Sequence, residues 1–142
     1  MSYATLDILT DRYGARMLIM LTDRSETPTS EIDMDVVSRA LTDTDAVIDG
    51  YIAAKYTVPL SEVPPLIVDL AQAITIYKLH TTATDPKIEE DYKAAMKTLG
   101  HIAEGKVRLP IAGKEPSGAG GTGARVTDRE RPFTADNMKG FI

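Results

Sequence analysis

The chain contains no cysteine, two histidines and two phenylalanines among its 142 residues. Without cysteine there can be no disulfide, no thiolate metal site and no cysteine nucleophile, and the absence mildly favours a reducing compartment. His80 and His101 fall on different expected helices and lack a partner at metal-ligand spacing, so both read as structural. Long apolar runs are missing too. The longest near the N-terminus is Met17–Leu21, far short of a membrane span or a signal-peptide core. The expectation is a chain made and kept in the cytoplasm unless a particle carries it out, with no membrane partner.

Apolar content of 43% and charged content of 26% suit one ordinary globular domain. The net charge of −5 hides an asymmetry. Residues 1–105 hold 9 Lys+Arg against 17 Asp+Glu, a net −8, while residues 106–142 hold 7 against 4, a net +3. An acidic body is a poor ligand for nucleic-acid phosphates, whose binding depends on neutralising them. The basic C-terminal part suits an acidic protein surface instead.

Residues 1–105 read as amphipathic helices. Thr5 is a good N-cap for a first helix reaching Tyr13, and Gly14 reads as its stop. Ala15–Leu21 reads as a second short helix, followed by the polar loop Thr22–Ser30. A long helix is expected from Ser30 to about Lys55. Its stripe of Ile32, Val36, Val37, Ala40, Leu41, Val47, Ile48, Tyr51 and Ile52 recurs at three- and four-residue steps, opposite Arg39, Asp43, Asp45 and Asp49. Gly50 inside it costs about 1 kcal/mol relative to alanine, which a close helix crossing would explain. Pro65 suits the first turn of the next helix, which runs through Leu79 and is apolar nearly all round, as a central buried helix should be. Asp85 and Pro86 open the last helix, with the stripe Ile88, Tyr92, Ala95, Met96, Leu99, Ile102 and Ala103, and Gly105 ends it.

From Lys106 the pattern changes. The alternation of Val107, Leu109 and Ile111 predicts a short edge strand, with Pro110 excluding a central one. Gly113–Gly123 has the composition of a linker. Beyond it lie both phenylalanines, Phe133 and Phe141, which make sense there if they dock into a pocket. The domain reading is therefore a helical body, residues 1–105, and an extended C-terminal arm, residues 106–142.

No catalytic or metal-binding set emerges. Asp43, Asp45 and Asp49 fail as a calcium loop because Val47 and Ile48 occupy positions that need a ligand and a glycine. Gly118, Gly120, Gly121 and Gly123 lack the Lys-Ser/Thr pair of a phosphate loop, and no G-x-S-x-G occurs. Carboxylate pairs such as Glu89–Glu90 fit a solvated helix face. The reading is a non-enzyme without cofactors.

Three stretches carry a resemblance. The opening SYATLDILTDRYG with RMLIMLTD, the middle DTDAVIDGYIAAKYTVPL, and the ending RPFTADNMKGF are similar to the small head–tail adaptor proteins of Mu-like phages and prophages. The likeness runs over essentially the whole chain and is most specific at Asp49–Leu60 and Met138–Phe141. It implies an all-α bundle of four to five helices that forms a ring of about twelve copies under the portal protein. Such a ring extends the channel through which genomic DNA passes without sequence-specific binding, and it docks a neck or tail completion protein. The expected location is the neck of the virion.

The resemblance lends the arm an interaction role, expected of Arg125, Arg129, Arg131, Pro132, Phe133, Met138, Lys139 and Phe141. Asp43, Asp45 and Asp49 are the candidates for an acidic, channel-lining face. A different class of function, a small helical DNA-binding or packaging accessory protein, needs a basic face on the body.

Overall fold

The computed structural model describes residues 2–111. Five helices follow in order: α1 (Leu6–Tyr13), α2 (Ala15–Thr22), α3 (Met34–Ile52), α4 (Pro65–Leu79) and α5 (Pro86–Glu104). The architecture is all-α. Thr5 caps α1, its hydroxyl accepting from the Ile8 amide at 3.3 Å. Gly14 separates α1 from α2 at a φ of 91°, a left-handed value that costs glycine little and other residues more. Asp85 caps α5 by accepting from the Lys87 amide at 2.8 Å, ahead of Pro86 in the first turn. At the far end Gly105 takes φ 86° and the Lys106 amide returns to the His101 carbonyl at 2.8 Å, satisfying carbonyls the helix would leave orphaned.

The uniform apolarity of α4 has a direct consequence. Its buried residues face two separate clusters. Ile67, Leu70, Ala71, Ala73 and Ile74 join Ile48, Ile52, Leu99 and Ile102 in one. Ile76 and Leu79 join Leu9, Leu18, Val37, Ala40 and Ile88 in the other. α4 therefore packs against α1, α3 and α5, and keeps only a narrow outer edge, with Asp69 and Lys78, exposed. Between α3 and α4 the Thr75 hydroxyl donates to the Thr44 hydroxyl at 2.9 Å, and both residues are fully buried.

Three expectations need correction. α3 begins at Met34, not near Ser30: Asp33 accepts from the Asp35 amide at 2.9 Å as the cap, and Ser30 sits at φ 60°, outside the extended region a cap needs. The loop before it is organised by Asp23, which accepts from the amides of Thr29 and Ser30, each at 2.9 Å. Those amides hold its carboxyl below the usual carboxylate range. Gly50 does not mark a close helix crossing, because a β-carbon there would meet nothing within 4 Å. Lastly, Val107–Ile111 forms no strand. Leu109 and Ile111 are buried in the core, and the Leu109 amide donates to the Tyr56 hydroxyl at 2.9 Å instead of to a ladder. The stretch straps the body rather than leaving it.

Candidate functional site

Residues 2–4 precede the first helix, yet Tyr3 and Ala4 are buried. Tyr3 is held by both ends. Its amide donates to Asp45 at 3.0 Å. Its hydroxyl donates to Asp49 and accepts from the Leu60 amide at 3.1 Å. Burial first, and the Asp49 acceptor second, push the phenol up to about 12. This arrangement fastens the N-terminus, the last turns of α3 and the Tyr56–Pro64 connector to one another.

The expected acidic face of α3 is therefore divided. Asp45 and Asp49 lie one turn apart, partly buried, and serve as acceptors for Tyr3. Asp43 points roughly 200° away from Asp45 around the helix and is exposed. It lines a different feature, a cleft of about 170 Å³ shared with Arg24, Val36, Arg39, Ala40, Lys78 and Leu79. The arm residues Arg125, Arg129, Arg131, Pro132, Phe133, Met138, Lys139 and Phe141 lie outside the described residues.

The cleft joins the ends of two helices to α3. Arg24, just after α2, donates from Nε to the Leu21 carbonyl at 3.1 Å and from Nη2 to the Leu79 carbonyl at 2.7 Å. Both carbonyls lie in last turns, where helices leave acceptors free. The Thr22 hydroxyl accepts from the Asp33 amide at 3.0 Å, which fixes the end of α2 against the start of α3. Two exposed methionines flank this junction, Met20 at 76% and Met34 at 52% exposure.

A second groove, of about 180 Å³, lies between α4 and α5 and is lined by Leu66, Leu70, Ala73, Ala94, Ala95 and Thr98 with Arg12, Asp69 and Asp91 at its edge. Its charges are matched: Arg12 pairs with Asp69 at 2.9 Å and Lys87 with Asp91 at 3.0 Å. Sequence reading missed both grooves, because the contributing residues are scattered over three or four elements. It also missed the Tyr3 anchor, whose only sequence signal is a buriable aromatic ahead of a capped helix.

Among the described residues no group of three or more His, Asp and Glu side chains is placed to hold a metal ion. His80 closes α4, its Nδ1 lying 2.8 Å from the Ile76 carbonyl. No described helix is long and apolar enough to cross a membrane.

The surface so described has relatives. A family model described as Bacteriophage Mu, Gp36 matches residues 3–127. The chain belongs to the Mu Gp36 family. Over 142 residues, the whole of both chains, it is 29% identical to "Gene product J" of Escherichia phage Mu. It is 25% identical over 140 residues to "Mu-like prophage FluMu protein gp36" of Haemophilus influenzae, covering 99% of this chain and 98% of that one. The chain is thus a Mu-like phage protein. The Gp36 match takes in all five helices and extends to residue 127.

Proposed function

We propose that this Gp36-family protein is a structural head–tail adaptor that assembles as a ring beneath the portal, extends the DNA channel and docks the next neck or tail protein. The observation that carries the reading is the relationship to Mu-like phage proteins over the full chain, joined to an all-helical body. The grooves favour it as well. Both are of a size that suits single side chains of protein neighbours, and a third, of about 330 Å³ along α3, is lined by the polar Asp35, Ser38, Arg39, Thr42 and Asp43 without an apolar floor. In this reading the helical body with its Val107–Ile111 strap makes the ring, and residues 125–141 engage the portal or an adjacent copy. The net negative body keeps DNA from adhering as it passes, and Asp45 and Asp49, which hold Tyr3, are poor candidates for the lumen.

The alternative, a DNA-binding or packaging accessory protein, is favoured by one feature, the Arg24–Arg39–Lys78 group. Three cations neutralise few phosphates, and the remainder of the body repels them.

Particle composition tests the proposal. Mass spectrometry of purified tailed particles should find the chain in stoichiometric amounts with the portal, and a phage lacking its gene should yield filled heads and separate tails. A chain absent from finished particles, with tight duplex binding in a mobility shift at physiological salt, would favour the accessory role.

A further inference from the structure

One surface of the body carries charge against the general trend. Arg24, Arg39 and Lys78 converge on the cleft at the ends of α2 and α4, with Asp43 the single carboxylate in its lining. Elsewhere on the described body, Arg12, Lys87, Lys93 and Lys106 each sit within 3.3 Å of an aspartate or glutamate, and the other cations, Arg16, Lys55, Lys97 and Arg108, line no cleft with a second cation among those described. Among the described residues none of the three cleft cations has a carboxylate within 4.0 Å, Asp43 included. Arg24 is also fixed in place, since two backbone carbonyls hold its guanidinium. A preset guanidinium loses less freedom on meeting an anion, and it offers remaining N–H groups in a fork suited to a carboxylate.

The floor of the cleft is apolar, formed by Val36, Ala40 and Leu79. The cavity volume of about 170 Å³ leaves room for one side chain, not for a cofactor.

We infer that this cleft is a socket for an acidic side chain of a second copy of the chain. Complementarity of charge selects that occupant. The net charge of residues 1–105 is −8, so a neighbouring copy has carboxylates in excess, and the socket brings three cations together to receive one. A contact between unlike patches on two copies is heterologous, the type that closes into a ring when the rotation permits. The inference rests on the ring-forming reading and specifies one side of the contact between copies. Duplex DNA is the competing occupant, and its phosphates face the repulsion of the remaining body.

The test uses the full chain as an equal mixture of unlabelled and isotope-labelled protein, assembled with its portal. A zero-length carbodiimide reagent then joins lysine amines to carboxylates in contact. Mass spectrometry should find Lys78 linked to an aspartate or glutamate of the other isotopic form. Arg39→Glu, at an exposed site, should keep the helical circular dichroism and lose ring assembly, while Lys93→Glu on α5 should assemble as the wild type does. Rings that form with Lys78 linked only within its own copy, and that survive Arg39→Glu, would overturn the socket and leave the ring reading intact. If the wild-type chain forms no ring on the portal, the ring reading fails and the socket with it. Protection of Lys78 from acetylation by duplex DNA, without a second copy bound, would assign the cleft to phosphate.

Discussion

The Tyr3 hydroxyl donates to the Asp49 carboxylate, across 46 positions of sequence, while accepting from the Leu60 amide. A residue two positions from the start of α1's cap thereby closes the end of the bundle where α3 hands over to α4. Tyr3→Phe leaves a partly buried carboxylate and a backbone amide without their partner. The expected cost is about 1–3 kcal/mol, read as a lower midpoint in urea unfolding with the slope unchanged.

The same hydroxyl gives a pH signature. Its pKa in the folded protein is raised to about 12, above the ordinary tyrosine value of about 10. A raised pKa means that the folded state holds the proton more tightly than the unfolded chain does. The stabilisation is therefore complete below pH of about 10 and is lost as pH rises toward 12. Stability measured over that window should fall more steeply in the wild type than in Tyr3→Phe. Parallel curves would show that folding does not raise the Tyr3 hydroxyl above its ordinary value.

Gly50 offers the opposite case, a substitution expected to stabilise. It lies inside α3, and a β-carbon there would meet nothing within 4 Å. Gly50→Ala should raise stability by about 0.5–1 kcal/mol by restricting the unfolded chain. Thermal unfolding followed by circular dichroism reads the change. A loss of stability would mean that the position is needed by a neighbour in the assembly or by a packing contact in the body.

Thr44 and Thr75 form a buried hydroxyl pair linking α3 to α4. Replacing either alone with valine strands the other hydroxyl, at about 1–3 kcal/mol. Replacing both keeps the shape and removes both polar groups, so the double variant should lie close to the wild type. A double-mutant cycle reads this as a strong positive coupling.

The strap formed by Val107–Ile111 predicts where the chain can be cut. A chain ending at Ile111 should keep the helical spectrum and cooperative unfolding of the intact body. One ending at Gly105 loses Leu109 and Ile111 from the core, each worth about 1.5–3 kcal/mol, and leaves the Tyr56 hydroxyl without the Leu109 amide. Its unfolding midpoint should drop markedly.

The helices were legible because their signals are local. Thr5, Asp85, Pro65, Pro86 and Gly105 stand at the ends they mark, and the apolarity of α4 showed that it must be enclosed. What escaped is tertiary. Asp45 and Asp49 are charged residues on a helix, and only the fold places Tyr3 against them. The alternation of Val107, Leu109 and Ile111 was read as pairing, but the body offers a tyrosine hydroxyl where a neighbouring strand would be needed. The Arg24–Arg39–Lys78 cleft draws on three separate elements and leaves no spacing to detect. For Ser30 against Asp33, two polar residues compete for one cap, and the Asp23 carboxylate decides between them by fixing the loop at Thr29 and Ser30.

Cryo-electron microscopy of the chain mixed with its cognate portal reads the ring itself. A closed ring of five-helix bodies is expected beneath the portal, coaxial with the DNA channel, with each Arg24–Arg39–Lys78 cleft covered by the next copy. Portal particles with no added density, and the chain remaining free in solution, would contradict it.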